Sequence, residues 1–260
     1  MAEIRPNLAK AKLLRGEPVL VPQIGPNSIP DNDTLEQMGV AGLLDLAWIE
    51  MEHGPWVWNQ IADVARTCDL VGISSLVRVD RNDPEILGRT LDRGVGGLVI
   101  PHVNTKAEAE RIVEGALYAP LGARGMWRPR QSYGVEDYFE KANAETLVVA
   151  TIEEVTAIDN MADILSVEGI DCIFVAPVDL SQTMGPKYLD KPLHPDVQKV
   201  VQEALTECVR LGKACGTLTL PENFEAVLAT GARFLRFPTE PFVRDGLLQT
   251  RQRARAAIAG

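Results

Sequence analysis

The stretch LVVATIEEVTAIDNMADILSVEGIDCIFVAPVDLS, residues 147–181, decides the fold. Leu147–Glu153 and Asp171–Pro177 are short runs rich in Val, Ile and Phe, of the kind that form strands buried on both faces. Between them, Val155–Leu165 carries apolar residues at helical spacing. Strand, helix and strand in that order make a βαβ unit, whose two strands run parallel and whose connection is right-handed. Each strand also leads into an acid: Glu153 ends the first, and Asp179 lies just beyond the second.

The same alternation continues in both directions. Val19–Gly25, Leu46–Glu52, Ser75–Val79 and Gly97–Val103 are strand candidates upstream; Ala214–Leu220 and Phe234–Pro238 follow downstream. Helical spacing marks Asp33–Met38, Trp56–Arg66, Pro84–Asp92, Lys106–Leu117, Pro195–Leu211 and Glu222–Ala229, and a last helix over about 240–258. Eight βα units in 260 residues have the size and rhythm of an α/β (β/α)8 TIM barrel. An open doubly wound sheet more often stops at roughly five to seven strands. Pro84 and Pro195 stand where a first-turn proline is tolerated, and Gly94, Gly212 and Gly231 follow helical runs. Tyr118–Lys141 is the one long connection without a period, and loops of that length are usually functional or used in assembly. No repeat or linker divides the chain, so residues 1–260 read as one domain.

A hydrophobic content of 46% with 24% charged residues excludes disordered and fibrous classes. The net charge of -10 argues against nucleic acid and anionic membranes as partners. Cys68, Cys172, Cys208 and Cys215 fall singly, as reduced thiols do. The start, MAEIRPNLAKAKLLRGE, lacks an apolar signal core, and no run approaches a membrane span. The chain reads as cytoplasmic.

Charge at the strand ends carries the chemistry. A parallel barrel strand should be continuously apolar, yet the second runs WIEME and then HGP, with Trp48, Glu50 and Glu52 on one side. The third ends in Arg78, the fifth carries Thr151 and Glu153 in phase, and Asp179 follows the sixth. In a barrel these carboxyl ends converge on one mouth. Glu153 and Asp179 supply hard oxygen donors from adjacent strands, enough to hold a divalent cation with positions left for water and substrate. His53, before the Gly54-Pro55 turn, is a candidate proton carrier. Arg78 suits a carboxylate or developing enolate oxygen, and an ion pair with Glu50 is compatible with that role. His102, after the fourth strand, is a secondary candidate for the same mouth. Glu154 reads as a helix cap and His194 as a helix-entry residue. No lysine falls on an inward strand position, so a Schiff-base mechanism has no nucleophile. The chain has no glycine-rich phosphate loop, and TLPEN and RFPTE end the last two strands instead.

Several ordered motifs, EHGP at 52–55, VR at 77–78, NDP at 82–84, YAPLGARG at 118–125, IE at 152–153 and APVDLS at 176–181, resemble the HpcH/HpaI aldolase family. That family includes 4-hydroxy-2-oxoheptanedioate aldolase, 2-keto-3-deoxy-rhamnonate aldolase and macrophomate synthase. The resemblance covers roughly residues 39–237. It implies a TIM barrel of the phosphoenolpyruvate/pyruvate type, and a divalent metal, Mg2+ or Mn2+ with Co2+ or Zn2+ as variants. It also implies a homo-oligomer: a hexamer built as a trimer of dimers, with the last helix exchanged. Carried over by position, Glu153 and Asp179 match metal ligands, and Arg78 matches the arginine that holds pyruvate and its enolate. His53 matches the histidine of the proton relay, with Glu52 beside it. Gly125, Thr151, Ala176 and Pro177 complete the expected substrate-binding set. Glu50, taken as part of the catalytic group, stands where aspartate is usual, and Thr151 replaces a glutamine.

The expected activity is therefore a metal-dependent class II pyruvate aldolase cleaving a 4-hydroxy-2-oxoacid. The alternatives are a malyl or citramalyl thioester lyase or an oxaloacetate decarboxylase on the same site, and, less favoured, a non-catalytic metabolite-binding barrel.

Overall fold

The computed structural model describes residues 2–23 and 32–259. Eight strands form, β1 (Val19–Gln23), β2 (Leu46–Glu50), β3 (Ser74–Arg78), β4 (Gly97–Ile100), β5 (Leu147–Ile152), β6 (Cys172–Val175), β7 (Ala214–Leu218) and β8 (Phe234–Pro238). All pair in parallel, in the order β1-β8-β7-β6-β5-β4-β3-β2. The two ends of this sheet meet just below β2, where Asp45 N donates to Leu20 O at 3.2 Å and Leu20 N donates to the Asp45 carboxylate at 2.9 Å. The sheet thereby comes round into a TIM barrel, as the eight-unit rhythm predicts.

Period-two alternation divides the apolar residues into two sets. Val21, Leu46, Trp48, Val149, Phe174 and Phe234 are among those that fill the barrel interior. Ile49, Val77, Leu98, Val148, Ile173 and Leu235 face outward, against helix residues such as Ile61, Leu87, Ile112 and Leu205. Within this interior, the rings of Trp48, Phe174 and Phe234 lie 5.5–6.3 Å apart in tilted and edge-on contacts. They close the barrel beneath the mouth.

The helices depart from expectation in four places. A helix over Leu8–Leu14 covers the amino ends of the strands: its cap Asn7 donates to Gly96 O at 2.7 Å, and Lys10 Nζ reaches Thr146 O at 2.7 Å and Asp171 at 3.0 Å. Two further short helices, Tyr138–Glu145 and Pro177–Thr183, were not expected, and the second takes in Asp179. The segment read as one helix over Val155–Leu165 is two, Val155–Asp159 and Met161–Leu165, broken at Asn160 (φ -96, ψ 8), whose amide donates to Asn104 O at 2.9 Å.

Several strands also stop earlier than expected. The second ends at Glu50 rather than Glu52, because the Glu50 carboxylate draws the backbone N–H groups of Glu52 and His53 into a turn. The sixth ends at Val175, since Pro177, without an N–H, occupies the first turn of a helix. For the first, Ile24 and Gly25 lie outside the described residues. Among the described residues no helix is long and apolar enough to cross a membrane.

Phe234 is fully buried in the interior ring set. Its replacement by alanine leaves a cavity under the mouth, with an expected loss of about 3–5 kcal/mol of unfolding free energy by urea titration. A loss below about 1 kcal/mol would mean that the interior can collapse around it.

Candidate active site at the mouth of the barrel

Glu50 is the residue around which the mouth is assembled. It ends β2 facing inward, and its side chain is 8% exposed. One carboxylate oxygen accepts Trp48 Nε1 at 3.1 Å and Arg78 Nε at 2.7 Å; the other accepts the backbone N–H of Glu52 at 2.9 Å and of His53 at 3.3 Å. Four donors occupy the acceptor capacity of the carboxylate. Glu50 is expected among the catalytic groups; in the structure its lone pairs are committed to Trp48, Arg78 and the backbone of Glu52 and His53. The turn that follows requires glycine at 54, since a Cβ there would sit 2.1 Å from Glu50 O.

Arg78, ending β3 beside Glu50, also lies with Nη1 at 2.9 Å from Glu52 Oε2, in a geometry that leaves this buried oxygen without a hydrogen bond. Burial pushes the Glu52 carboxyl up from its ordinary range, against the opposing pull of Arg78 and His53. His53 is largely exposed, with Nε2 at 3.7 Å from Glu52 Oε2.

Glu153 lies just past β5 and is 1% exposed. Burial raises its carboxyl to about 7; Asp179 and Glu52 push further in the same direction, while His102 opposes. Its Oε1 accepts the backbone N–H of His102 at 2.6 Å. That bond helps hold His102 in the left-handed region at φ 54, a conformation uncommon for any residue but glycine. The His102 ring stands among three acids, with Nδ1 at 3.1 Å from Glu154 and 3.5 Å from Glu153, and Nε2 at 3.4 Å from Glu52. Burial disfavours its charged form, but the three carboxylates outweigh burial and raise its pKa. His102 thus belongs to the site. Glu154 stands at the predicted cap position, yet its side chain caps nothing and bonds Asn104 Nδ2 at 2.9 Å besides His102. His194 enters its helix as expected, accepting Asp196 N at 3.2 Å.

His53, Arg78, Ala176, Pro177, Asp179 and Arg236 line one cavity of about 240 Å³. Thr151, inward on β5, is fully buried, and its hydroxyl has no hydrogen-bond partner. Gly125 is not brought to this mouth within the chain. It borders a separate cavity on the outer face of the barrel, with Gly88, Arg89 and Trp127, because its loop packs against the helices Pro84–Leu91 and Lys106–Ala116. Arg236 was missed by sequence reasoning, which saw only a strand end in RFPTE. The available signal was a charged residue two positions after Phe234, on the inward face of a barrel strand.

The donor set fits a hard divalent cation. Asp179 has no cationic side chain in ion-pair range among the described residues, Glu153 is buried within its field, and an unpartnered hydroxyl lies nearby on Thr151. No group of three or more His, Cys, Asp and Glu among the described residues could hold a metal, so the protein would contribute two carboxylates and leave the other positions to water and substrate.

The sequence matches the family described as HpcH/HpaI aldolase/citrate lyase over residues 30–239. It is 37% identical over 207 residues to a 5-keto-4-deoxy-D-glucarate aldolase of Shigella boydii, covering 77% of this chain and 78% of that protein. A 2-keto-3-deoxy-L-rhamnonate aldolase of Klebsiella pneumoniae is 32% identical over 237 residues, covering 88% and 85%. Among solved structures, an HpcH/HpaI aldolase from Desulfitobacterium hafniense superimposes with a TM-score of 0.83 at 25% identity, covering 93% of this chain and 96% of that one. The fold, the ordered motifs and these likenesses agree: the chain belongs to the HpcH/HpaI aldolase/citrate lyase family and is a lyase of the aldolase type.

Proposed function

We propose that this protein is a metal-dependent class II pyruvate aldolase that reversibly cleaves a 4-hydroxy-2-oxoacid to pyruvate and an aldehyde. The observation that carries the reading is the gathering at one barrel mouth of the buried Glu153, in the field of Asp179, and of Asp179, which has no cationic side chain in ion-pair range among the described residues, with the guanidinium of Arg78. Glu153 and Asp179 would hold Mg2+ or Mn2+, which when bound supplies Lewis-acid polarisation of the 2-oxo group.

The remaining work falls to side chains of the chain itself. Arg78 donates Nε to Glu50 and stands in ion-pair range of Glu52, which holds its plane and leaves its other N–H groups for substrate oxygens. In cleavage the C4 hydroxyl proton passes to the His53–Glu52 pair and the C4 oxygen becomes the aldehyde carbonyl. The electrons of the C3–C4 bond move into the pyruvate enolate, where Arg78 stabilises the developing charge. The proton is then returned to C3 to give pyruvate. A Glu52 carboxyl raised by burial, beside His53, supports a proton relay between the two.

The same reading includes a cytoplasmic homo-oligomer, a trimer of dimers. Four free, buried thiols suit a reducing compartment. The C-terminal helix Glu240–Ala259 leaves Phe242, Val243, Leu247 and Leu248 exposed, as a helix exchanged with a neighbour would.

Chelator treatment should abolish release of pyruvate from 4-hydroxy-2-oxoacids, and Mn2+ should restore it; full activity in the chelated protein would sink the reading. Arg78→Ala should lower kcat by about 10²–10³, and Glu153→Ala with Asp179→Ala should leave almost no turnover. Assays on oxaloacetate and on a malyl thioester separate the rival lyases: faster turnover of either would displace the aldolase assignment. Glu50→Ala should cost about 3–5 kcal/mol in urea unfolding, because Arg78 stays buried with its main partner gone. Light scattering should give the mass of a hexamer for the intact chain, and a smaller species after removal of residues 240–260.

A further inference from the structure

The carboxyl end of β4 leaves its ladder for two residues. Ile100 pairs with Ala150 on β5, and contact between the two segments resumes where Val103 N donates to Thr151 O at 3.2 Å. Pro101 has no N–H to give, and the N–H of His102 goes instead to Glu153 Oε1 at 2.6 Å. His102 makes that donation from φ 54, where glycine alone meets no steric cost. Packing does not account for the conformation, because the side chain is 56% exposed. Strained backbone of this kind clusters at functional sites, and an interrupted ladder beside an active site commonly re-aims a side chain.

The turn is anchored on two sides. At the rim, the His102 ring Nδ1 lies 3.1 Å from Glu154 Oε1, which also accepts Asn104 Nδ2 at 2.9 Å, and Asn104 O accepts Asn160 Nδ2 at 2.9 Å. Inside, the His102 N–H occupies one oxygen of Glu153, and the other oxygen accepts no hydrogen bond among the described residues. Glu153 therefore has one oxygen tied to the fold and one left over. We infer that His102 is a positioning residue that acts through its backbone: its left-handed N–H fixes the plane of the Glu153 carboxylate and leaves the free oxygen for the cation shared with Asp179. A group that hydrogen-bonds a metal ligand sets its orientation, and losing such a group commonly costs about 10–100-fold in affinity. The cation in this inference rests on the reading of Glu153 and Asp179 as its ligands; the contact between His102 and Glu153 does not. Residue 102 is thereby constrained by its backbone rather than by its imidazole.

A series at this one position separates backbone from ring. Glycine keeps the N–H and adopts a left-handed φ freely, alanine adopts it at a cost, and β-branched valine is driven from it; none of the three has the imidazole. The metal-free protein is titrated with Mn2+, and free ion is read by electron paramagnetic resonance. Affinity should stay within about threefold of the unaltered protein in His102→Gly, and be at least about tenfold weaker in His102→Val than in His102→Gly, with His102→Ala between them. An equal loss in all three would place the effect in the ring, and no loss in any would make Glu153 independent of residue 102; either result overturns the proposal. A second measurement needs no metal. In hydrogen exchange read by mass spectrometry, the amide of residue 102 should be protected in the unaltered protein and in His102→Gly, and exchange much faster in His102→Val and in Glu153→Ala. Undiminished protection in Glu153→Ala would mean that the carboxylate does not hold this N–H, and would overturn the proposal as well. Should the unaltered protein bind no Mn2+, the metal reading fails, and exchange alone decides whether His102 fixes Glu153. Should His102→Val fail to fold, His102→Ala carries the comparison, with Mn2+ binding clearly weaker than in His102→Gly as the expected result.

Discussion

One buried carboxylate organises the mouth of this barrel. Taking Glu50 out of water is expensive, and only a full set of strong donors offsets that cost. It finds them in an indole, a guanidinium and two backbone N–H groups. The consequence is geometric: β2 ends there, the chain turns through Gly54, His53 is carried to the rim, and Arg78 is held in one plane. Each of the four donors belongs to a segment that the site needs to orient.

Around that anchor the charges are divided rather than cancelled. Arg78 is neutralised by Glu50 and Glu52, so it can act through directed N–H groups without carrying a free charge. Glu153 lies in the field of Asp179, and burial raises its carboxyl to about 7, with His102 opposing. Arg236, on β8, is left without an acid in ion-pair range among the described residues.

Much of this was legible from residue order. Period-two alternation put Trp48 and Glu50 on one face, and the apolar runs gave eight strands within a few residues of their observed ends. Glu153, Asp179, Arg78 and His53 stood out because acids, an arginine and a histidine are costly at strand ends unless something there uses them. The short helices at 8–14 and 138–145 were not legible, because helices of seven or eight residues have too few turns to display a period and are held by distant partners. His102 could only be a secondary candidate, since its position depends on a left-handed backbone that a carboxylate some fifty residues away helps to hold.

By itself the sequence determined the class of fold, the set of strands and which side chains had to meet at their carboxyl ends, because burial and periodicity are local properties that repeat along the chain. Only the tertiary structure decided how those side chains divide the work. Whether a carboxylate is saturated like Glu50, uncompensated like Asp179, or raised by burial like Glu153 depends on partners supplied by other strands. The same holds for arginine: Arg78 and Arg236 are the same residue type on the same inward face, and their difference lies in whether an acid from a neighbouring element reaches them.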